Sequence, residues 1–526
     1  MDAIKLIKRV VLTALTLLAV FLVGTSLVQS FNQPQVQSRL ELYQTNLLLH
    51  VAEYQGEYPN DPAVQIVQAL AGEEPLEAAL KQYQEAVAST EEAIATQSSR
   101  LSSTVILPPD ESSDPPLIEG INPPELAELK IQKQISNQET LRDELLLRLG
   151  ILKASQGNLD QAIETWTPLA ERSSPHLEST ANTANLLLTL WQDSRTLPAN
   201  SEELLTQNLE GWFHYQAFRK LYQIQGQDEA LTRLNLQEQE IAAESLGKLA
   251  TVTGIPAFGF VVGVGLLIFL GIQWVLKRKD SLLVQNGDNT WETPWDWETI
   301  WQVFIVGFFF LGQVLVPIVV QLFGVQSAML DVRSRAFYIL ATYIAIAIGG
   351  LLVLFFSIRS FFPLAKDWFR FNVLQASWIS WGFGGYFAAL PLVILVSIIN
   401  QQFWQGRGGS NPILSIALEN RDTVALTIFF ITASVAAPIF EEIMFRGFLL
   451  PSLTRYFSVT TAIVLSSLLF ALAHLNLSEV LPLATLGMVL GFVYTRSRNL
   501  LSSILLHSLW NSGTLFSLFV LGSGGS

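Results

Sequence analysis

The chain has 526 residues, 50% of them hydrophobic, and a mean hydropathy of +0.37. That is too apolar for an ordinary water-soluble protein and points to membrane spans. The absence of cysteine excludes disulfides, thiolate metal sites and a cysteine nucleophile, and a net charge of −14 argues against nucleic-acid binding.

At the start of the chain, Lys5, Lys8 and Arg9 precede an uncharged apolar run from Val10 to Val28. The run is long enough to span, and no A-x-A-like cleavage site follows it. Residues 1–30 therefore read as a retained membrane anchor. Residues 31–250 read as a soluble α-helical domain with 32 acidic and 14 basic side chains, which leaves the rest of the chain slightly basic. Within it, residues 102–124 carry Pro108, Pro109, Pro115, Pro116, Pro123 and Pro124 among serines and acids, the composition of a linker. Helical periodicity resumes at Leu126. Leu149, Gly150, Gly157, Ala162 and Trp166 resemble the small and large positions of a tetratricopeptide helical hairpin, and Gly226 follows Gly157 by 69 residues, about two such periods. The domain is expected to be partly tetratricopeptide-like and to offer a surface for a protein partner.

A second span, from about Ile255 to Leu276 within residues 251–280, ends in Lys277, Arg278 and Lys279. Residues 281–300 form a Trp-rich linker. In it Trp291, Trp295 and Trp297, followed by Trp301, look like an interfacial belt at the start of the third span. Further apolar stretches lie near 301–324, 336–358, 380–400, 423–450, 459–475, 480–495 and 500–521, and residues 522–526 are a Gly/Ser tail. The expected fold is all-α: a polytopic membrane helix bundle of about nine spans, with the soluble helical domain between spans one and two and a multi-pass domain over 301–521.

With a cytoplasmic N-terminus and alternating spans, thirteen basic residues fall on the cytoplasmic side: Lys5, Lys8, Arg9, Lys277, Arg278, Lys279, Arg359, Lys366, Arg370, Arg446, Arg455, Arg496 and Arg498. Arg333, Arg335, Arg407 and Arg421 fall on the other side of the membrane block. This asymmetry predicts a cytoplasmic linker at 281–300 and places 31–250 on the opposite side. A bacterial inner membrane or a thylakoid-type membrane fits.

Ionisable groups inside membrane spans are costly and are functional candidates by default. Of five histidines, His50, His176 and His214 lie in the soluble block, whereas His474 and His507 lie in apolar spans. The acids deep in an apolar span are Glu441 and Glu442. Glu442 and Arg446 are four apart with the acid first, the favourable order for a helical pair. Glu441 is rotated by one residue step and keeps no partner on its own helix, which leaves it free to act as a base. His507 and Asn511 share one helix face, as do Phe470 and His474. One mechanism suits these groups. Glu441 with His474 deprotonates a water that attacks an amide carbonyl, and His507 with Asn511 donates to the oxyanion. Simple alternation sets His474 near the outer end of its span and Glu441 and His507 nearer the inner ends, so Pro438 is expected to break its helix and let Glu441 reach mid-depth, and the loop after His474 is expected to dip inward.

E-E-x-x-x-R at Glu441–Arg446, F-x-x-x-H at Phe470–His474 and H-x-x-x-N at His507–Asn511 resemble the three motifs of the CaaX protease and bacteriocin-processing family. These are intramembrane glutamic endopeptidases, also called abortive-infection proteins and related to type II CaaX prenyl endopeptidases. The resemblance covers about residues 300–521. It implies that Glu441 and His474 activate water, that His507 and Asn511 form the oxyanion site, and that Glu442 and Arg446 support them, with no metal or other cofactor. It implies a membrane protein or peptide as substrate. Glu441, His474 and His507 are also a two-histidine, one-carboxylate set of the kind that binds metal. H-E-x-x-H and G-x-S-x-G are both absent. The alternative is a non-catalytic membrane scaffold or immunity factor that binds partners through its soluble domain.

Overall fold

The structure is a computed structural model and describes residues 2–31, 36–56, 62–72, 74–104, 123–192, 196–322, 330–404, 408–409 and 422–522. Every regular element among them is helical. In chain order these are α1 (Asp2–Ser30), α2 (Val36–Ala52), α3 (Pro62–Ala71), α4 (Pro75–Thr104), α5 (Pro123–Ser155), α6 (Leu159–Ala170), α7 (Glu178–Trp191), α8 (Ser201–Asn208), α9 (Gly211–Gln225) and α10 (Asp228–Lys277). They continue as α11 (Trp297–Val320), α12 (Val332–Ile358), α13 (Ser377–Trp404), α14 (Thr423–Leu453), α15 (Val459–Leu472), α16 (Val480–Ser497) and α17 (Leu500–Gly522). The prolines at 108, 109, 115 and 116, Arg407, Arg421 and residues 523–526 of the tail lie outside the described residues; Pro123 and Pro124 open α5.

Two compact units emerge, Ser38–Thr251 and Met1–Gln37 with Val252–Ser526. The first is built on helical pairs: α4 lies along α5, and α5 turns back into α6. The α5–α6 turn uses Gly157 at φ +86°, a left-handed conformation that suits glycine. Trp166 on α6 is wholly buried over Gly150 on α5, and its Nε1 donates to the Leu147 carbonyl at 3.1 Å. A Cβ on Gly150 would stand 2.1 Å from that Nε1. Gly150→Ala is therefore expected to destabilise this unit by about 1–3 kcal/mol, read as a lower thermal midpoint of its tryptophan fluorescence. Burial pushes the Asp143 carboxyl of α5 above its ordinary range despite Arg172 and Arg142 beside it.

The second unit is the membrane bundle. Eight helices among the described residues are long and apolar enough to cross: α1, α10 to α14, α16 and α17. The ninth expected stretch, 459–475, is α15, whose 14 residues rise about 21 Å, less than the roughly 30 Å of a bilayer core. Neighbouring helices approach closely at small residues, as they must where lipid supplies no hydrophobic drive. A Cβ on Gly263 of α10 would fall 2.1 Å from the Phe387 carbonyl of α13. Gly385 of α13 admits Leu506 of α17, and Gly487 of α16 receives Ser467 of α15.

The first helix is a packed member of this bundle. Lys8 and Arg9 reach Glu298 at 3.1 and 2.9 Å, and Trp301 Nε1 donates to Thr16 Oγ1 at 2.7 Å. The linker tryptophans differ from the expected belt. Trp295 is wholly buried against Trp368 and Phe448, with its Nε1 on Ser452 Oγ at 2.9 Å. Trp291 stacks on Tyr494 beneath the Arg498 guanidinium. Trp297 remains exposed. The indoles turn inward because the protein offers their N–H groups defined acceptors and their faces aromatic neighbours.

Candidate active site

α14 holds most of the chemistry and does so as an irregular helix. Thr432–Ala436 and Ile443–Leu449 are π-helical turns on either side of Pro438 and the two glutamates. Pro438 does not break the helix, contrary to the sequence expectation. The Ala437 N–H bonds the Thr432 carbonyl five residues back. In that register the next carbonyl, of Ala433, falls to the nitrogen of Pro438, which carries no hydrogen. Asn511 Nδ2 from α17 supplies the missing donor at 2.7 Å. The π turn thus absorbs the proline while keeping the helix continuous.

One turn on, Glu442 and Arg446 are wholly buried and joined at 2.8 Å, as their spacing predicted. Arg446 Nη2 also donates to the Gly487 carbonyl of α16 at 3.1 Å, and its guanidinium lies 4.5 Å from the centre of the Phe470 ring. The same Glu442 oxygen, Oε1, lies 2.9 Å from Nδ1 of His507 on α17. An ionised carboxylate can only accept, so Nδ1 carries the hydrogen. That bond orients the ring and aims Nε2 at the neighbouring carboxylate. His507 Nε2 stands 3.9 Å from Glu441 Oε2.

Glu441 keeps 16% of its side-chain surface exposed. Its other oxygen, Oε1, accepts the Tyr343 hydroxyl from α12 at 3.2 Å. Sequence reasoning missed Tyr343; its signal was a hydroxyl in an apolar span, shared with Thr342 beside it. Oε2 of each glutamate, Arg446 Nε and Ser434 Oγ are buried without a hydrogen-bond partner in the protein. Such atoms are rare in a native interior, and four of the nine found among the described residues lie along 434–446 of α14.

The predicted residues divide accordingly. Glu441, Glu442, Arg446 and His507 come together directly. Phe470 stands edge-on to both imidazoles, at 4.9 Å from His474 and 5.6 Å from His507 between ring centres. His474 lies in the turn after α15, half-buried, with Nδ1 2.8 Å from the Phe470 carbonyl. That bond leaves its Nε2 as the free ring nitrogen. Asn511 joins α17 to α14 and keeps its second amide hydrogen. Among the described residues no three His, Asp or Glu side chains are grouped to hold a metal ion.

A polytopic all-α membrane protein whose helices bury a carboxylate–imidazole constellation is thereby defined. The segment that holds this constellation has relatives. Residues 423–513 match the family model described as Type II CAAX prenyl endopeptidase Rce1-like. YdiL of Bacillus subtilis (strain 168), named as a membrane peptidase, is 27% identical over 143 residues, 26% of this chain and 54% of its own length. The UPF0177 protein YxdF of Lactococcus lactis subsp. lactis (strain IL1403) is 33% identical over 78 residues, 15% of this chain and 42% of its own length. The chain thus spans about half the length of these curated relatives. No solved structure is significantly similar to it.

Proposed function

We propose that the protein is an intramembrane endopeptidase that cleaves peptide bonds of membrane-associated proteins or peptides with a water activated by Glu441. The observation that carries this is the facing pair of Glu441 Oε2 and His507 Nε2 at 3.9 Å, inside apolar helices, with His507 oriented by Glu442 and Glu442 matched by Arg446.

Glu441 takes a proton from the water as its oxygen attacks the scissile carbonyl carbon. His474, beyond Phe470, gives the water a second partner through Nε2. The carbonyl oxygen becomes an oxyanion and accepts from His507 Nε2–H and the second hydrogen of Asn511 Nδ2. Each such donor is commonly worth about 3–4 kcal/mol. Glu441 returns the proton to the amine nitrogen as the carbon–nitrogen bond breaks. With Nε2 protonated, two carboxylates, one guanidinium and one imidazolium sum to zero charge, the balance an apolar bundle tolerates best. Tyr343 holds Glu441 so that its other oxygen faces the water, and Tyr343→Phe is expected to lower kcat about tenfold and to lower the thermal midpoint by the loss of about 1–3 kcal/mol, because Glu441 Oε1 is left without its donor.

The same reading keeps the N-terminus cytoplasmic and the Ser38–Thr251 unit on the opposite side, in a bacterial inner or thylakoid-type membrane. There the unit would bring protein substrates or partners to the membrane. Comparison of new protein N-termini in membranes holding wild-type protein or His474→Ala tests the activity. Cleavage products confined to the wild type are expected; identical N-terminal profiles would exclude it.

A further inference from the structure

The turn that carries His474 is held from outside its own hairpin, and part of the hold comes from the first helix of the chain. Between α15 and α16 the backbone passes through Leu475 at φ +61°, a left-handed conformation that branched L side chains seldom adopt. Such a conformation persists where surrounding contacts fix it. Asn476 Nδ2 donates to the His474 carbonyl at 3.1 Å, inside the turn. The next residue bonds outward: the Leu477 N–H donates to Ser30 Oγ, at the end of α1, at 3.2 Å. Asn400 Nδ2 of α13 donates to the Ser478 carbonyl at 2.6 Å. The Ser478 hydroxyl donates to the Gly409 carbonyl at 2.7 Å, and its N–H to that of Gly408 at 3.3 Å. Trp404 Nε1 fixes the Asn400 amide at 3.1 Å, and Phe31 meets the Trp404 ring edge-on. Ser30, Asn400 and Ser478 are all buried.

A turn between membrane helices cannot rely on bulk water, so its N–H and C=O groups need partners from the protein. Here they come from α1, from α13 and from Gly408. We propose that Ser30 and Asn400 are positioning residues for His474, which makes α1 a part of the active-site frame as well as an anchor. The proposal rests on the peptidase reading above. His474 Nδ1 is tied to the Phe470 carbonyl, so the path of the turn decides where Nε2 points. Without Ser30 and Asn400, Leu475 relaxes toward ordinary backbone angles and the imidazole swings from the water.

The test uses the full-length protein in its membrane. The chain has no cysteine, so Ser30→Cys with Leu477→Cys is a clean pair. It is expected to form an intramolecular disulfide under mild oxidant, and no cross-link would overturn the contact. Ser30→Val and Asn400→Leu are each expected to lower kcat about ten- to hundredfold with KM within about twofold. They should also shift the pH profile of kcat, and Ser30→Thr should restore the wild-type values. Lower melting temperatures with unchanged kcat and pH profile would mean a merely structural role and overturn the proposal. If the wild type shows no turnover, the peptidase reading falls separately, and labelling of Leu475→Cys still decides the clamp. Ser30→Val should speed its reaction with a membrane-permeant maleimide; an unchanged rate would overturn it.

Discussion

Glu441→Gln is expected to remove turnover almost completely, with kcat down about 10³-fold or more and the thermal midpoint unmoved. The size follows from the role. A general base that takes the proton from water and returns it to the amine contributes about 10²–10⁴-fold, and glutamine can do neither. The unchanged stability follows from the surroundings. The amide has the shape of the carboxylate, its oxygen still accepts the Tyr343 hydroxyl, and the carboxylate that Arg446 neutralises belongs to Glu442. Steady-state kinetics on a cleaved membrane peptide, with a parallel melt in detergent, checks both halves. A variant that keeps more than a tenth of wild-type kcat would remove Glu441 from the reaction.

Arg446→Met is expected to act in the opposite way, on the fold first. It leaves the wholly buried Glu442 carboxylate without its cation, next to a second carboxylate. Breaking a buried pair by removing one partner costs about 3–5 kcal/mol, a large share of a native stability of about 5–15 kcal/mol. The paired change Arg446→Met with Glu442→Leu removes both charges and is expected to recover stability to within about 1–2 kcal/mol of wild type. Turnover should not return, because His507 Nδ1 has then lost the acceptor that aims Nε2 at Glu441. Thermal melts and activity on the single and paired variants separate these outcomes. A paired variant as unstable as the single one would show that the ion pair is not what the fold depends on here.

Much of this site could be read from the sequence because its key relations are short-range. Glu442 and Arg446 meet through a four-residue helical step, and His507 and Asn511 share a face for the same reason. The apolar stretches gave the spans, and the rarity of charge within them singled out the glutamates. What sequence could not give are relations between helices and departures from regular helix. Tyr343 reaches Glu441 across 98 residues of chain. The bond from Asn511 to the Ala433 carbonyl depends on a π register, and the same register lets Pro438 bend no break into α14. Trp291 and Trp295 look interfacial from composition, yet find indole acceptors and aromatic neighbours inside the protein. The last apolar stretch to be judged by length, α15, stops early because the chain turns at Leu475, a position that no turn residue announces.

A double-mutant cycle between Glu441 and His507 tests the account most directly, since it asks whether the base that activates the water and the donor that meets the oxyanion act as one unit. Glu441→Gln, His507→Gln and the double variant would be compared in kcat on the same membrane peptide. Groups that act as a unit are strongly non-additive, so the double variant should be about as slow as the slower single variant. Losses that multiply, leaving the double variant slower by the product of the two, would contradict the account.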